Sequence, residues 1–214
     1  MQSSTRRLFG PGAIIILIVA LFALCLPDQA RAEHGGYDLQ EDGVYLRTNL
    51  GFGVLLENRE SILRTEDDVT LAWEVALGGF VAPKFAIHGT FYGWGVFDED
   101  RDDRNDFYRR DSAFSATQIG FGPGFTVYLG DSGVYFTGSG GISLLWREVG
   151  FADEDRDLST GFGFEAMIGK EWWNDFVGVG LSVGYMAHID TEVAERTQFG
   201  GGSLGLHFSL SFND

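Results

Sequence analysis

Eight stretches of this chain alternate apolar residues with small or polar ones at a period of two, and that alternation reads as strands with only one face in an apolar medium. The stretch 44–54 shows the pattern most clearly. Val44, Leu46, Leu50, Phe52 and Val54 fall on one face with Thr48, while Tyr45, Arg47, Asn49, Gly51 and Gly53 fall on the other. The same alternation recurs over 70–81, 85–96, 115–129, 134–146, 161–172, 176–188 and 200–212. In the fourth stretch Pro123 cannot donate to a ladder, so a bulge or an irregular ladder is expected there.

The apolar face reads as unbroken, and the opposite face is Gly, Ser, Thr and scattered charge. A soluble barrel that carries a ligand would show the reverse, an apolar interior beneath a polar coat. Apolar outside and polar inside is the transmembrane arrangement, and strands of about 11 residues, tilted, match the span. The connections agree. Those at 82–84, 130–133 and 173–175 are short, and those after the first, third, fifth and seventh stretches are long and charged. Short periplasmic turns alternating with long outer loops is the outer-membrane pattern. The expected fold is therefore all-β, an eight-stranded antiparallel transmembrane up-and-down β-barrel over 43–214. Its even strand count brings both termini to the periplasmic side.

The segment ahead of the strands reads as an export signal over 1–32, followed by a periplasmic lead-in over 33–42. Arg6 and Arg7 form a basic start, the apolar run 13–26 is shorter than the roughly 20 residues of a spanning helix, and Pro27 breaks it. Ala30-Arg31-Ala32 is a small-x-small site, which places the cut between Ala32 and Glu33. Thr5-Arg6-Arg7-Leu8-Phe9 resembles a twin-arginine signal, but that route carries folded cargo, and a barrel with a lipid-facing exterior could not fold in the cytoplasm. Leu24, ahead of Cys25, is bulky where lipidation requires a small residue. Cys25 is the single cysteine, so the exported chain has no disulfide, no thiolate chemistry and no cysteine metal site.

The formal net charge is −16, and the signal itself is basic, so the exported part is more acidic still. Nucleic acid is excluded as a partner, since its phosphates require a basic surface. The expected partners are outer-membrane lipid and lipopolysaccharide, together with the barrel-insertion machinery. A monomer without cofactors is expected. Trp73, Trp94, Trp146, Trp172 and Trp173 all lie near strand ends and are expected in two aromatic belts at headgroup level, although the parity of Trp94 points inward.

At this point the chain resembles the small outer-membrane barrels, the OmpA-like and OmpX-like class. Gly169-Lys170-Glu171-Trp172-Trp173, Leu77-Gly78-Gly79-Phe80 with Pro83, and Gly120-Phe121-Gly122-Pro123-Gly124 are similar to segments of uncharacterised bacterial outer-membrane barrels. The resemblance implies architecture and no activity. One departure is that Phe212 is followed by Asn213 and Asp214, where many such barrels end on an aromatic residue.

Three arrangements are candidates for function. Arg47, Glu74 and Glu165, with Glu171 and His88, share the interior face. Isolated charges there would be costly, so a structural salt-bridge network that plugs the lumen is expected, against a gated pore or proton path. His207 and Ser209, two apart on one strand, share a face, and an imidazole beside a hydroxyl is hydrolase chemistry. Lipid A deacylases use such a pair, but on their lipid side. Asp98-Glu99-Asp100-Arg101-Asp102 recurs as Asp153-Glu154-Asp155-Arg156-Asp157. Neither copy continues as a calcium loop, so solvated acidic loops with at most weak divalent-cation binding are expected. No catalytic, cofactor or metal residues are assigned. The first reading is a non-enzymatic barrel, structural or presenting acidic loops to the outside. The alternatives are a narrow passive channel and a lipid A-modifying enzyme using His207 and Ser209.

Overall fold

The computed structural model of the 214-residue chain describes residues 43–56, 69–97, 114–148, 156–190 and 198–213. The export signal, its cleavage site at Ala32 and Glu33, the lead-in and most of both acidic pentapeptides lie outside the described residues. The strands are β1 (Val44–Leu56), β2 (Val69–Ala82), β3 (Phe85–Phe97), β4 (Phe114–Leu129), β5 (Val134–Glu148), β6 (Arg156–Asn174), β7 (Val177–Asp190) and β8 (Gln198–Asn213). Each pairs antiparallel with its sequence neighbours, and β1 pairs with β8, which closes the barrel and leaves no free edge. All eight expected strands are present. β6 exceeds its expected span most, starting at Arg156 instead of at residue 161.

Strand parity decides the faces. In β1 the burial alternates residue by residue, with Tyr45, Arg47 and Asn49 buried and Leu50 and Phe52 exposed. On the outward face Ile142 is 72% exposed and Phe121 64%, whereas the inward Arg47 and Tyr45 are at 0%. Large apolar side chains turned out and charged ones sealed in is the inverse of a soluble barrel and suits a surrounding of lipid. Lys170 corrects the expectation of an unbroken apolar exterior. Its parity is outward, between Ile168 and Trp172, yet it is only 4% exposed, with its Nζ 5.8 Å from the Trp172 ring.

Three irregularities sit where the sequence allows them. Pro123 leaves the register of β4 and β5 unchanged, but the paired positions run from Phe121 with Ile142 directly to Gly124 with Ser139, a gap in the ladder in place of a bulge. The β7–β8 register shifts after His188. Gly201 beside that shift has φ +138°, a conformation open to glycine, and the Trp94 ring lies 3.7 Å from where a Cβ would stand. Lys84 and Asp175 take positive φ in the two-residue turns β2–β3 and β6–β7.

The lumen is less polar than the sequence suggested. Near the short-turn end Tyr45, Phe80, Ala86, Tyr128 and Tyr135 pack together. Toward the long connections Trp94, Val96, Leu145, Met167 and Met186 form a second apolar cluster with Ala72 and Tyr92. Between the two lies a band of charged and hydroxyl side chains.

Candidate functional site

Arg47 organises that band. The β1–β2 register pairs Asn49 with Glu74 and Arg47 with Ala76, so Glu74 is diagonal to Arg47 on the inward face, within reach of a long side chain. Arg47 Nη2 donates to Glu74 Oε1 at 2.9 Å, and both side chains are fully buried. The same guanidinium crosses the lumen. Nη2 donates to Thr137 Oγ1 at 2.8 Å on β5 and Nη1 to Thr126 Oγ1 at 3.3 Å on β4. Tyr135 lies under it at 5.1 Å and Tyr45 at 5.8 Å from ring centroid to Cζ. One side chain from the first strand is thereby tied to the opposite wall, in a barrel whose bore is just wide enough for side chains.

The hydroxyls around it fix donor and acceptor roles. Thr126 Oγ1 donates to Thr137 Oγ1 at 3.0 Å, and Thr137 Oγ1 donates to the Phe125 carbonyl at 2.9 Å. With its proton committed, Thr126 can only accept from His88 Nε2 at 3.0 Å. His88 therefore carries its proton on Nε2, and Nδ1 accepts from Thr90 Oγ1 at 2.8 Å. Glu74 is held on its second oxygen by Asn49 Nδ2. Glu165 accepts from Ser139 Oγ at 2.8 Å, and Glu171 accepts from Tyr128 at 2.6 Å and Ser211 at 2.7 Å. The interior residues expected from sequence, Arg47, Glu74 and Glu165, are all buried in the lumen. Arg47 and Glu74 meet directly, while Glu165 accepts from one hydroxyl and Glu171 from two.

Two of the five tryptophans correct the expected belts. Trp94 is 1% exposed in the upper cluster, and Trp173 packs on the lower cluster with its ring 6.3 Å from that of Tyr128. The pleat fixes both, since Trp94 follows the inward Tyr92 by two and Trp173 follows the inward Glu171 by two. Trp73, Trp146 and Trp172 face outward, with Trp73 packed against Phe91 at 4.8 Å.

His207 and Ser209 share the inward face, but they do not form the hydrogen-bonded pair that the alternative reading as an enzyme would need. Neither His207 Nδ1 nor Ser209 Oγ has a hydrogen-bond partner among the described residues. Spacing alone does not forbid such a pair, since His88 and Thr90, also two apart on one strand, do bond. The His–Ser contact that does form was not anticipated. His188 Nδ1 meets Ser143 Oγ at 2.5 Å and its Nε2 meets Ser159 Oγ at 3.1 Å, all three buried. Three strands bring these residues together, and only the register reveals it. Among the described residues no three His, Cys, Asp or Glu side chains converge so as to hold a metal ion.

No protein-family profile matches the chain, and no curated protein matches it by sequence. Solved structures do match. Neisserial surface protein A superposes with a TM-score of 0.51 at 10% identity, over 84% of this chain and 99% of that one. Ail of Yersinia pestis gives a TM-score of 0.47 at 9% identity, over 81% and 99%, and the N-terminal barrel domain of OprF from Pseudomonas aeruginosa 0.42 at 10%, over 79% and 97%. The fold is that of the small outer-membrane barrels. At such identity the likeness concerns the path of the chain, and the lumen must be interpreted from its own residues.

Proposed function

We propose that this chain is a closed, non-enzymatic barrel of the outer membrane, which serves as a structural element and presents its long acidic connections to the outside. The observation that carries the reading is the lumen. Two apolar clusters occupy its ends, and the Arg47 guanidinium crosses its middle to Glu74, Thr126 and Thr137. Such filling opposes a straight aqueous path for an ion. Buried His207 and Ser209, without a mutual hydrogen bond, give no support to lipid A chemistry.

The purified protein, folded into planar bilayers, should be electrically silent, and Arg47→Ala should be less stable and pass small ions. Steady single-channel currents from the unaltered barrel, unchanged in Arg47→Ala, would instead favour the narrow channel. Export with cleavage between Ala32 and Glu33 is part of the same reading. The intact mass of the membrane-fraction protein should begin at Glu33, and a mass retaining residues 1–32 would refute it.

A further inference from the structure

The band between the two apolar clusters holds more hydrogen-bonding capacity than its side chains use on one another. Arg47 Nε, Asn49 Oδ1, Glu165 Oε2, His207 Nδ1 and Ser209 Oγ have no partner among the described residues, and each of these residues is at most 5% exposed. They belong to one level of the barrel. Asn49 pairs in register with Ser209, and His207 lies two residues from it on β8. Asn49 Nδ2 reaches Met167 Sδ at 3.7 Å, two residues from Glu165 on β6. A Cβ placed on Gly184 would stand 2.7 Å from Met167 Cγ and 3.0 Å from His207 Nε2, so those side chains adjoin.

Beside them the strands approach closely through glycine. Gly53 faces Gly205 across β1 and β8, and Gly122 faces Gly141 across β4 and β5, with Cα positions close enough that a Cβ on one would strike the other. These pairs lie on opposite walls and send no side chain into the bore.

The unused groups specify an occupant. Arg47 Nε can only donate, Asn49 Oδ1 can only accept, and the Glu165 carboxyl, His207 and Ser209 can take either role. A bare cation would meet the Arg47 guanidinium, an anion would meet Glu74, and an apolar guest would leave all five groups unpaired. A molecule that both donates and accepts, is neutral and fits between side chains answers every group, and water is that molecule.

We infer that the middle of the lumen is a sealed chamber holding ordered water that links Glu165 and Asn49 to Arg47, His207 and Ser209. The sealing rests on the closed-barrel reading above, and the hydration rests on the side chains alone. Because both ends are filled, the chamber water exchanges slowly with bulk.

The test uses the whole exported protein folded in lipid nanodiscs, with nitrogen-15 in its Arg and His side chains. Water-to-protein cross-relaxation is measured by NMR, and the same preparation is examined in planar bilayers. Long-lived water should cross-relax with Arg47 Nε–H and the His207 ring, and the signal should be lost in Asn49→Leu. Where Asn49→Leu does not fold, Ser209→Ala removes one unpartnered hydroxyl at less structural risk and should weaken the His207 signal. Absence of cross-relaxation at both residues in an electrically silent barrel overturns the chamber and leaves the closed barrel standing. Cross-relaxation with water exchanging at bulk rate, together with steady current, overturns the sealing and the closed-barrel reading together.

Discussion

The two faces of each strand obey different rules. Outward, the requirement is generic, because Leu50, Phe52, Phe121 and Ile142 meet lipid tails as apolar as themselves, and one such side chain can replace another. Inward, the requirement is individual. Arg47 is matched to Glu74 on the next strand and to Thr126 and Thr137 on the far wall, and no neighbouring position can replace it. The difference teaches that membrane compatibility is spread thinly over many residues, whereas closure of the lumen is concentrated in few.

The inward rule is broken most severely at its centre. Arg47→Ala should destabilise the folded barrel by roughly 3–5 kcal/mol, because Glu74 is left buried without its counter-charge. Replacing Arg47 and Glu74 together by apolar residues of similar volume should restore much of that loss, since the desolvation of two charges is then avoided. Urea titration of folding into lipid vesicles, read by the mobility of unheated samples on gels, compares the variants. A double variant no more stable than Arg47→Ala would show that the hydroxyl ties across the lumen, and not the ion pair, carry the effect.

The upper cluster tests whether apolar residues inside also follow the inward rule. Trp94→Ala should cost about 3–5 kcal/mol, since lipid cannot enter the lumen to fill the cavity left behind. The same titration measures it, and a loss well under this range would mean that the upper cluster is loosely packed and closes the lumen poorly.

How far the sequence discloses these rules depends on which face is read. Period two assigns the faces of β1 correctly from Tyr45 to Val54, since the pleat leaves no freedom once the strand is recognised. Position near strand ends suggests belts for Trp94 and Trp173, but the pleat turns both inward. Lys170 lies beyond Ile168, where the apolar alternation of the sixth strand ends. The Arg47–Glu74 pair was legible because adjacent strands in an up-and-down barrel must pair. The contacts of Arg47 with Thr126 and Thr137, and of His188 with Ser143 and Ser159, were not. They join strands that are distant in sequence or depend on the stagger of the ladder, and neither leaves a local signal.

The outward rule is tested by charge. Leu206 lies on the outward face of β8, paired with Phe52 and Val183. Leu206→Arg should cost about 2–4 kcal/mol if the residue lies at the bilayer midplane, and less the nearer it lies to an interface. Folding yield across vesicles of increasing acyl-chain length locates that depth. Full tolerance in every bilayer would mean that Leu206 does not face lipid, and the register of β8 would have to shift by one.

The smallest expected effect separates the two faces most sharply. Ile142 and Leu145 lie three residues apart on β5, the first 72% exposed on the outward face and the second 1% exposed in the upper cluster. Ile142→Ala should cost about 1–2 kcal/mol, the lost transfer of its hydrocarbon from water to lipid, with no cavity term because lipid tails flow into the space the side chain leaves. Leu145→Ala, which removes a similar amount of hydrocarbon, should cost about 2–5 kcal/mol, because its space stays empty. The comparison is made within one strand and one fold, so propensity, topology and insertion are held nearly constant. Equal losses at the two sites would mean that Ile142 is covered by protein, most simply by a second copy of the chain, and the expectation of a monomer would then fail together with the generic character of the outer face.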